Sequence, residues 1–228
     1  MMFCQIKNFL SYRVCFLSFC ILFILPKVQG QAVPFAAEIL AFHKDDSLHP
    51  KEKGQIVFVG SSTFTLWKDV QDRFPGHKII NRGFGGSSLG DVFKHANATI
   101  YRYQPRQVFI YCGENDFATD TALPAREGFN RYLNLAREIR YHLPETEILF
   151  ISAKPSPSRW HLAPKFKEFN ALVREYSSSQ PNFQFINIWD VMLGQDGRPK
   201  ENIFVSDKLH MNNAGYDIWV PILKKYLK

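Results

Sequence analysis

Five short runs of apolar and β-branched residues recur along the chain, separated by longer stretches with helical spacing. The runs are QIVFVG (55–60), KIINRG (78–83), QVFIYCG (107–113), EILFISA (147–153) and FQFINI (183–188). Each is nearly continuous rather than alternating, as expected of a strand covered on both faces. Between them, LGDVFKHANATIYRY (89–103) sets Val92, Phe93, Ala96 and Ile100 on one helical face. AREGFNRYLNLAREIRYHL (125–143) does the same with Phe129, Tyr132, Leu133, Ala136 and Ile139. Further helices are expected over 34–46, 163–178 and 212–228. Strand–helix alternation with crossovers of this length predicts an α/β fold, a parallel sheet with helices on both sides. No linker-like stretch interrupts it, so one domain is expected from 32 to 228.

The first 30 residues depart from this pattern. Lys7 and Arg13 precede the run VCFLSFCILFIL, Pro26 breaks it, and the small residues Val28 and Gly30 follow. That is the layout of a secretory signal peptide, so export to the periplasm or beyond is expected, with a retained N-terminal anchor as the alternative. The run is short for a membrane span of roughly 20 residues, so no stable span is expected after cleavage. Cys4, Cys15 and Cys20 fall within this segment, which leaves Cys112 alone and rules out an intramolecular disulfide. A domain of about 200 residues can bury a core without one. Of the 28 lysines and arginines, 25 remain beyond residue 30 against 21 acids, a net charge of about +4 spread along the chain. Neither this balance nor any basic run with interleaved aromatics supports nucleic-acid binding. Nothing in the sequence sets the oligomeric state.

In an open parallel sheet, chemistry gathers at the carboxyl ends of the strands. There the runs give way to VGSS, NRGFGG, YCGEND and AKPSPSRW, and SDKLHMNNAGY precedes the last helical stretch. Acyl transfer needs a hydroxyl nucleophile, a base, a group that orients the base, and donors for an oxyanion. Ser61 or Ser62 can supply the hydroxyl, from a turn whose backbone N–H groups favour developing negative charge. His210 can take the proton, and Asp207 can fix the imidazole tautomer. Gly86 can bring its N–H close because it has no side chain, and Asn115 offers an amide N–H. Each feature alone also fits a cap or turn: GSS as a helix cap, Asn115 in GEND as a cap, Asp207 and His210 as a surface pair. GFGGSSLG also resembles a phosphate-cradling loop. Their joint placement at one sheet edge favours the catalytic reading.

These blocks resemble the SGNH hydrolases, the GDSL-type esterases and lipases. FVGSSTF, NRGFGG, YCGEND and SDKLHMNNAGY match the family's blocks in order across essentially the whole chain after residue 30. The resemblance implies a flavodoxin-like three-layer α/β/α sandwich with a five-stranded parallel sheet. It implies Ser62 as nucleophile, Asp207 and His210 as its triad partners, and Ser62, Gly86 and Asn115 as the oxyanion hole. It implies no metal and no organic cofactor. The chain departs from the pattern at Ser61, where the family usually has aspartate. The FGG block is similar to the platelet-activating-factor-acetylhydrolase-like subgroup.

For such an enzyme, an exported chain without a visible lid suggests short acyl esters, acetyl above all, on carbohydrate. Lysophospholipase or thioesterase activity is the alternative within the family. A non-catalytic carbohydrate-binding protein or a nucleotide-binding flavodoxin relative is the alternative outside it. Trp67 and Trp160 can stack on a sugar ring or simply pack, and Arg159 can meet an anionic group or a nearby acid. Cys112, inside an apolar strand, reads as a buried small hydrophobe.

Overall fold

The first strand shows why its sequence is apolar throughout. In the computed structural model, which describes residues 34–228, Ile56 and Phe58 enter the core on one face of the sheet. Val57 and Val59 enter a separate core on the other face, and all four are fully buried. The expected export signal at 1–30 lies outside the described residues.

The chain runs α1 (Ala36–Leu48), β1 (Ile56–Gly60), α2 (Ser62–Leu66), α3 (Val70–Arg73), β2 (Ile79–Gly83), α4 (Leu89–Lys94) and α5 (Ala96–Thr99). It continues with β3 (Gln107–Tyr111), α6 (Glu114–Thr119), α7 (Ala125–His142), β4 (Glu147–Ile151), α8 (Ala163–Ser179), β5 (Phe183–Ile186) and α9 (Asn213–Leu223). All strand pairs are parallel, in the order β2-β1-β3-β4-β5. This is the flavodoxin-like order, whose switch point lies between β1 and β3. Residues of α4, α7 and α8 cover the Val57 face, and those of α2, α3 and α9 cover the Ile56 face. The five expected strands and the three-layer sandwich are therefore present. Among the described residues, no helix is long and apolar enough to cross a membrane.

The single helix expected over 89–103 is broken into α4, α5 and a 3-10 turn at Tyr101–Tyr103. A capping box between Ser88 and Asp91 starts α4, and the backbone leaves helical geometry at His95 and at Ile100. The breaks keep Ile100 and Tyr103 buried. They also let the Tyr103 hydroxyl accept from Arg82 at 2.6 Å and donate to Asp46 at 2.7 Å. The observed breaks are where tertiary packing overrides local periodicity.

Gly60 ends β1 at φ +141°, and a Cβ there would lie 1.9 Å from the Tyr111 carbonyl oxygen. The neighbouring strand backbone cannot move aside without losing its ladder. Gly60→Ala is therefore expected to cost on the order of 4 kcal/mol or more. Thermal unfolding would register this as a Tm lowered by about 8 °C or more; an unchanged Tm would refute the steric argument.

Candidate active site

Past Gly60 the chain turns sharply into α2. The Ser61 N–H donates to the Tyr111 carbonyl at 3.0 Å, and the Ser61 carbonyl accepts from the N–H groups of Phe64 and Thr65. Ser61 is thereby held buried in extended geometry, with no side-chain capping bond, and Ser62 becomes the first helical residue. The Ser62 Oγ lies 2.9 Å from Nε2 of His210, and His210 Nδ1 lies 2.5 Å from Oδ2 of Asp207. A carboxylate only accepts hydrogen bonds, so Nδ1 carries the imidazole proton and Nε2 is free to accept from Ser62.

The loop carrying Asp207 and His210 is shaped by the same carboxylate. Asp207 Oδ1 accepts from the backbone N–H groups of Leu209 at 2.8 Å and His210 at 2.9 Å. Lys208 takes a left-handed φ of 57°, and the Val205 N–H closes the turn on the His210 carbonyl. Partial burial works against the Asp207 charge. It is outweighed by the His210 N–H, the His210 ring and the Leu209 N–H, which hold the carboxyl at about 2. Asn212 then caps α9 by accepting from the Gly215 N–H, and the Tyr216 hydroxyl donates to the Thr63 carbonyl at 2.9 Å. That bond ties α9, which follows the histidine's loop, to the serine's helix.

The third wall comes from the loop after β2 and the start of α6. Gly86 takes φ +81°, a conformation that favours glycine. Asn115 donates from Nδ2 to the Ser87 carbonyl at 2.9 Å, and Cys112 Sγ donates to the same oxygen at 3.3 Å. Asp116 accepts from the Leu89 N–H and from Arg131, both at 2.9 Å. Burial pushes the Asp116 carboxyl up, against the opposing pull of these donors. Among the described residues, neither the Ser62 N–H nor the Gly86 N–H donates to a protein acceptor. One hydrogen of the Asn115 amide is likewise unspent. The site can thus offer a hydroxyl beside a correctly protonated imidazole, with several free donors on the same edge. Among the described residues, no group of three or more His, Cys, Asp or Glu side chains is placed to hold a metal ion.

The family model for GDSL-like lipases and acylhydrolases matches residues 59–218, from the end of β1 into α9. The chain belongs to the GDSL-like lipase/acylhydrolase family. It is a carboxylic ester hydrolase. Among solved structures, the acylhydrolase is similar to a Streptococcus pneumonia protein described as a platelet activating factor. That match has 24% identity and a TM-score of 0.74, over 84% of this chain and 92% of that one. It is similar to a GDSL-like lipase from Bacteroides thetaiotaomicron at 19% identity and TM-score 0.69, over 83% and 97% of the two chains. It is also similar to an acetylxylan esterase from Geobacillus stearothermophilus at 14% identity and TM-score 0.59, over 76% and 94%. At these identities the likeness speaks to the fold. No curated protein sequence is significantly similar.

The structure places the three candidate substrate contacts of the acylhydrolase in different surroundings. Trp67 is fully buried and stacks on Tyr216 with centroids 4.7 Å apart, so it presents no face to a sugar. It follows the last residue of α2 and enters the core on the Ile56 face of the sheet. Arg159 directs its guanidinium at protein groups: Nη2 donates to Asn115 Oδ1 at 2.9 Å, and Nη1 lies 4.0 Å from Glu114. Trp160 stays partly exposed, packed against Trp189 at 6.1 Å. Cys112 is buried as expected, and its thiol is raised well above its ordinary value by burial and then by Asp116.

Four polar residues that support the site went unremarked in the sequence: Glu114, Asp116, Lys154 and Tyr216. Glu114 and Lys154 form a buried ion pair at 3.0 Å beneath Asn115, and the Lys154 N–H also donates to Glu114. Burial pulls the Lys154 ammonium down and Glu114 opposes it. Their only sequence signal is charge at the end of an apolar run. Asn115→Ala removes one donor from the edge. Turnover of p-nitrophenyl acetate is expected to fall roughly 10²–10³-fold, and wild-type kcat in that variant would end the assignment.

Proposed function

We propose that this acylhydrolase is an exported serine esterase that removes short acyl groups, acetyl foremost, from carbohydrate esters. The observation that carries the chemistry is the hydrogen-bonded chain from Ser62 through His210 to Asp207, at 2.9 and 2.5 Å. In this reading the Ser62 Oγ attacks the ester carbonyl as its proton passes to His210 Nε2. The oxyanion is held by the N–H groups of Ser62 and Gly86 and by the Asn115 amide. His210 then protonates the departing alcohol, leaving an acyl-Ser62. Water repeats the cycle, giving its proton to His210 and releasing the acid.

Substrate class rests on access. The Asp207 and His210 side chains are 45% and 26% exposed, so an ester on a bulky alcohol can approach. The acetylxylan esterase of similar fold uses an ester of that kind. Partly exposed Trp160 supplies an aromatic surface near the same edge. One observation favours longer acyl chains: Leu66 and Val205 are substantially exposed and line an open depression with His210. The test is an ester panel of p-nitrophenyl acetate, butyrate and octanoate alongside acetylated xylo-oligosaccharides. A kcat/KM that peaks at acetate and rises further on the oligosaccharide supports the proposal. A peak at octanoate replaces it with a lipid or thioester reading.

A further inference from the structure

An oxyanion donor works only if its N–H points at the reacting carbonyl, and a side-chain amide has two orientations. Asn115 is placed between two neighbours that discriminate between them. On one side the Ser87 carbonyl accepts from Nδ2 at 2.9 Å. On the other, Arg159 Nη2 donates to Oδ1 at 2.9 Å. Turning the amide over would set Oδ1 against a carbonyl oxygen and Nδ2 against a guanidinium, which has donors only.

Arg159 is itself well placed. It sits in the 3-10 turn Pro157–Leu162, and the preceding Ser158 N–H donates to the Lys208 carbonyl at 3.1 Å. The turn that carries Arg159 is thereby stitched to the loop that carries Asp207 and His210. Beneath it, Glu114 lies 4.0 Å from Nη1 and is anchored by Lys154 through both the ammonium and the backbone N–H. Glu114 and Lys154 are both almost fully buried. Their ion pair therefore forms a stiff base for the guanidinium. The side chain of Arg159 is 17% exposed, less than expected of an arginine recruited for a surface charge.

We propose that Arg159 is a positioning residue that locks the Asn115 amide with its Nδ2–H toward the substrate carbonyl. It also polarises that N–H through a charge-assisted bond to Oδ1. The lysine–glutamate pair below holds the arginine in register. The proposal rests on Asn115 as an oxyanion donor. It differs from a role for Arg159 in binding an anionic substrate, because its effect runs entirely through the amide.

A double-mutant cycle on p-nitrophenyl acetate, a neutral ester, tests it. Arg159→Ala is expected to lower kcat about 10- to 10²-fold, the weight of one charge-assisted bond on a two-state flip. KM should stay within about twofold, because no substrate contact is removed. In the Asn115→Ala background the same substitution should cost less than about threefold, since coupled residues are not additive. Arg159→Lys keeps the charge without the planar fork and should fall between wild type and Arg159→Ala. Thermal melts accompany each variant, and if Arg159→Ala does not fold, the cycle is run with Arg159→Lys. A loss confined to KM, an unchanged kcat, or a full loss repeated in the Asn115→Ala background overturns the positioning role. If Asn115→Ala itself keeps wild-type kcat, the oxyanion reading fails, and this proposal with it. If Asn115→Ala is impaired while Arg159→Ala is not, only this proposal falls.

Discussion

Ser62→Ala is expected to lower turnover of p-nitrophenyl acetate by at least about 10³-fold, while Ser61→Ala keeps most of it. The two serines are neighbours in sequence, but their geometry separates them. The Ser61 backbone forms the turn, its residue is buried, and its side chain makes no capping bond. Ser62 opens α2 with its Oγ on His210 Nε2. Removing that Oγ takes away the covalent step and leaves the oxyanion donors, which is why residual activity over water is expected rather than none. Steady-state kinetics of both variants decides the matter: an inactive Ser61→Ala beside an active Ser62→Ala would reverse the assignment. Tm should change little for Ser62→Ala, because the hydroxyl is half-buried and its partner remains accessible to solvent.

The second large effect belongs to Asp207→Asn, for which a loss of roughly 10³–10⁴-fold in kcat is expected. The reason lies in which atoms the carboxylate serves. Oδ1 accepts from the Leu209 and His210 N–H groups, and Oδ2 faces His210 Nδ1. An asparagine that keeps its oxygen on the two backbone donors must point its N–H₂ at Nδ1. The proton then moves to Nε2, which becomes a donor toward Ser62 and can no longer act as its base. The pH dependence follows from the carboxyl being held at about 2, below its ordinary value. A lowered carboxyl contributes stability above its unfolded value, and that contribution fades only as pH falls toward about 2. Because the side chain is 45% exposed, screening keeps the contribution small. Asp207 therefore stays charged across the working range, and the acid limb of kcat/KM should follow the uptake of a single proton. A slope of two on the logarithmic profile, or wild-type kcat in Asp207→Asn, would contradict this arrangement.

Much of the fold was legible because the inner strands β1, β3 and β4 are buried on both faces. Residues such as Ile56, Val57, Phe58 and Val59 must then all be apolar, and the run shows in the sequence whatever lies on either side. The break in the helix expected over 89–103 was not legible. Beyond it, the Tyr103 hydroxyl meets Arg82 and Asp46, partners far away in sequence. The candidate site divides in the same way. Ser62, Gly86, Asn115, Asp207 and His210 stand at the ends of recognisable runs or in recognisable blocks. Trp67 carried no mark of whether it faces solvent or core, and the structure stacks it on Tyr216.

By itself, then, the sequence determined the parallel α/β plan and the candidates at the sheet edge, because periodicity and strand ends are local properties of the chain. Only the tertiary structure decided where long side chains go once the loops meet. It turned Arg159 toward Asn115 and paired Lys154 with Glu114 beneath it. Those contacts join residues about 40 positions apart. Their partners are chosen by crossovers and packing that no short stretch of sequence encodes.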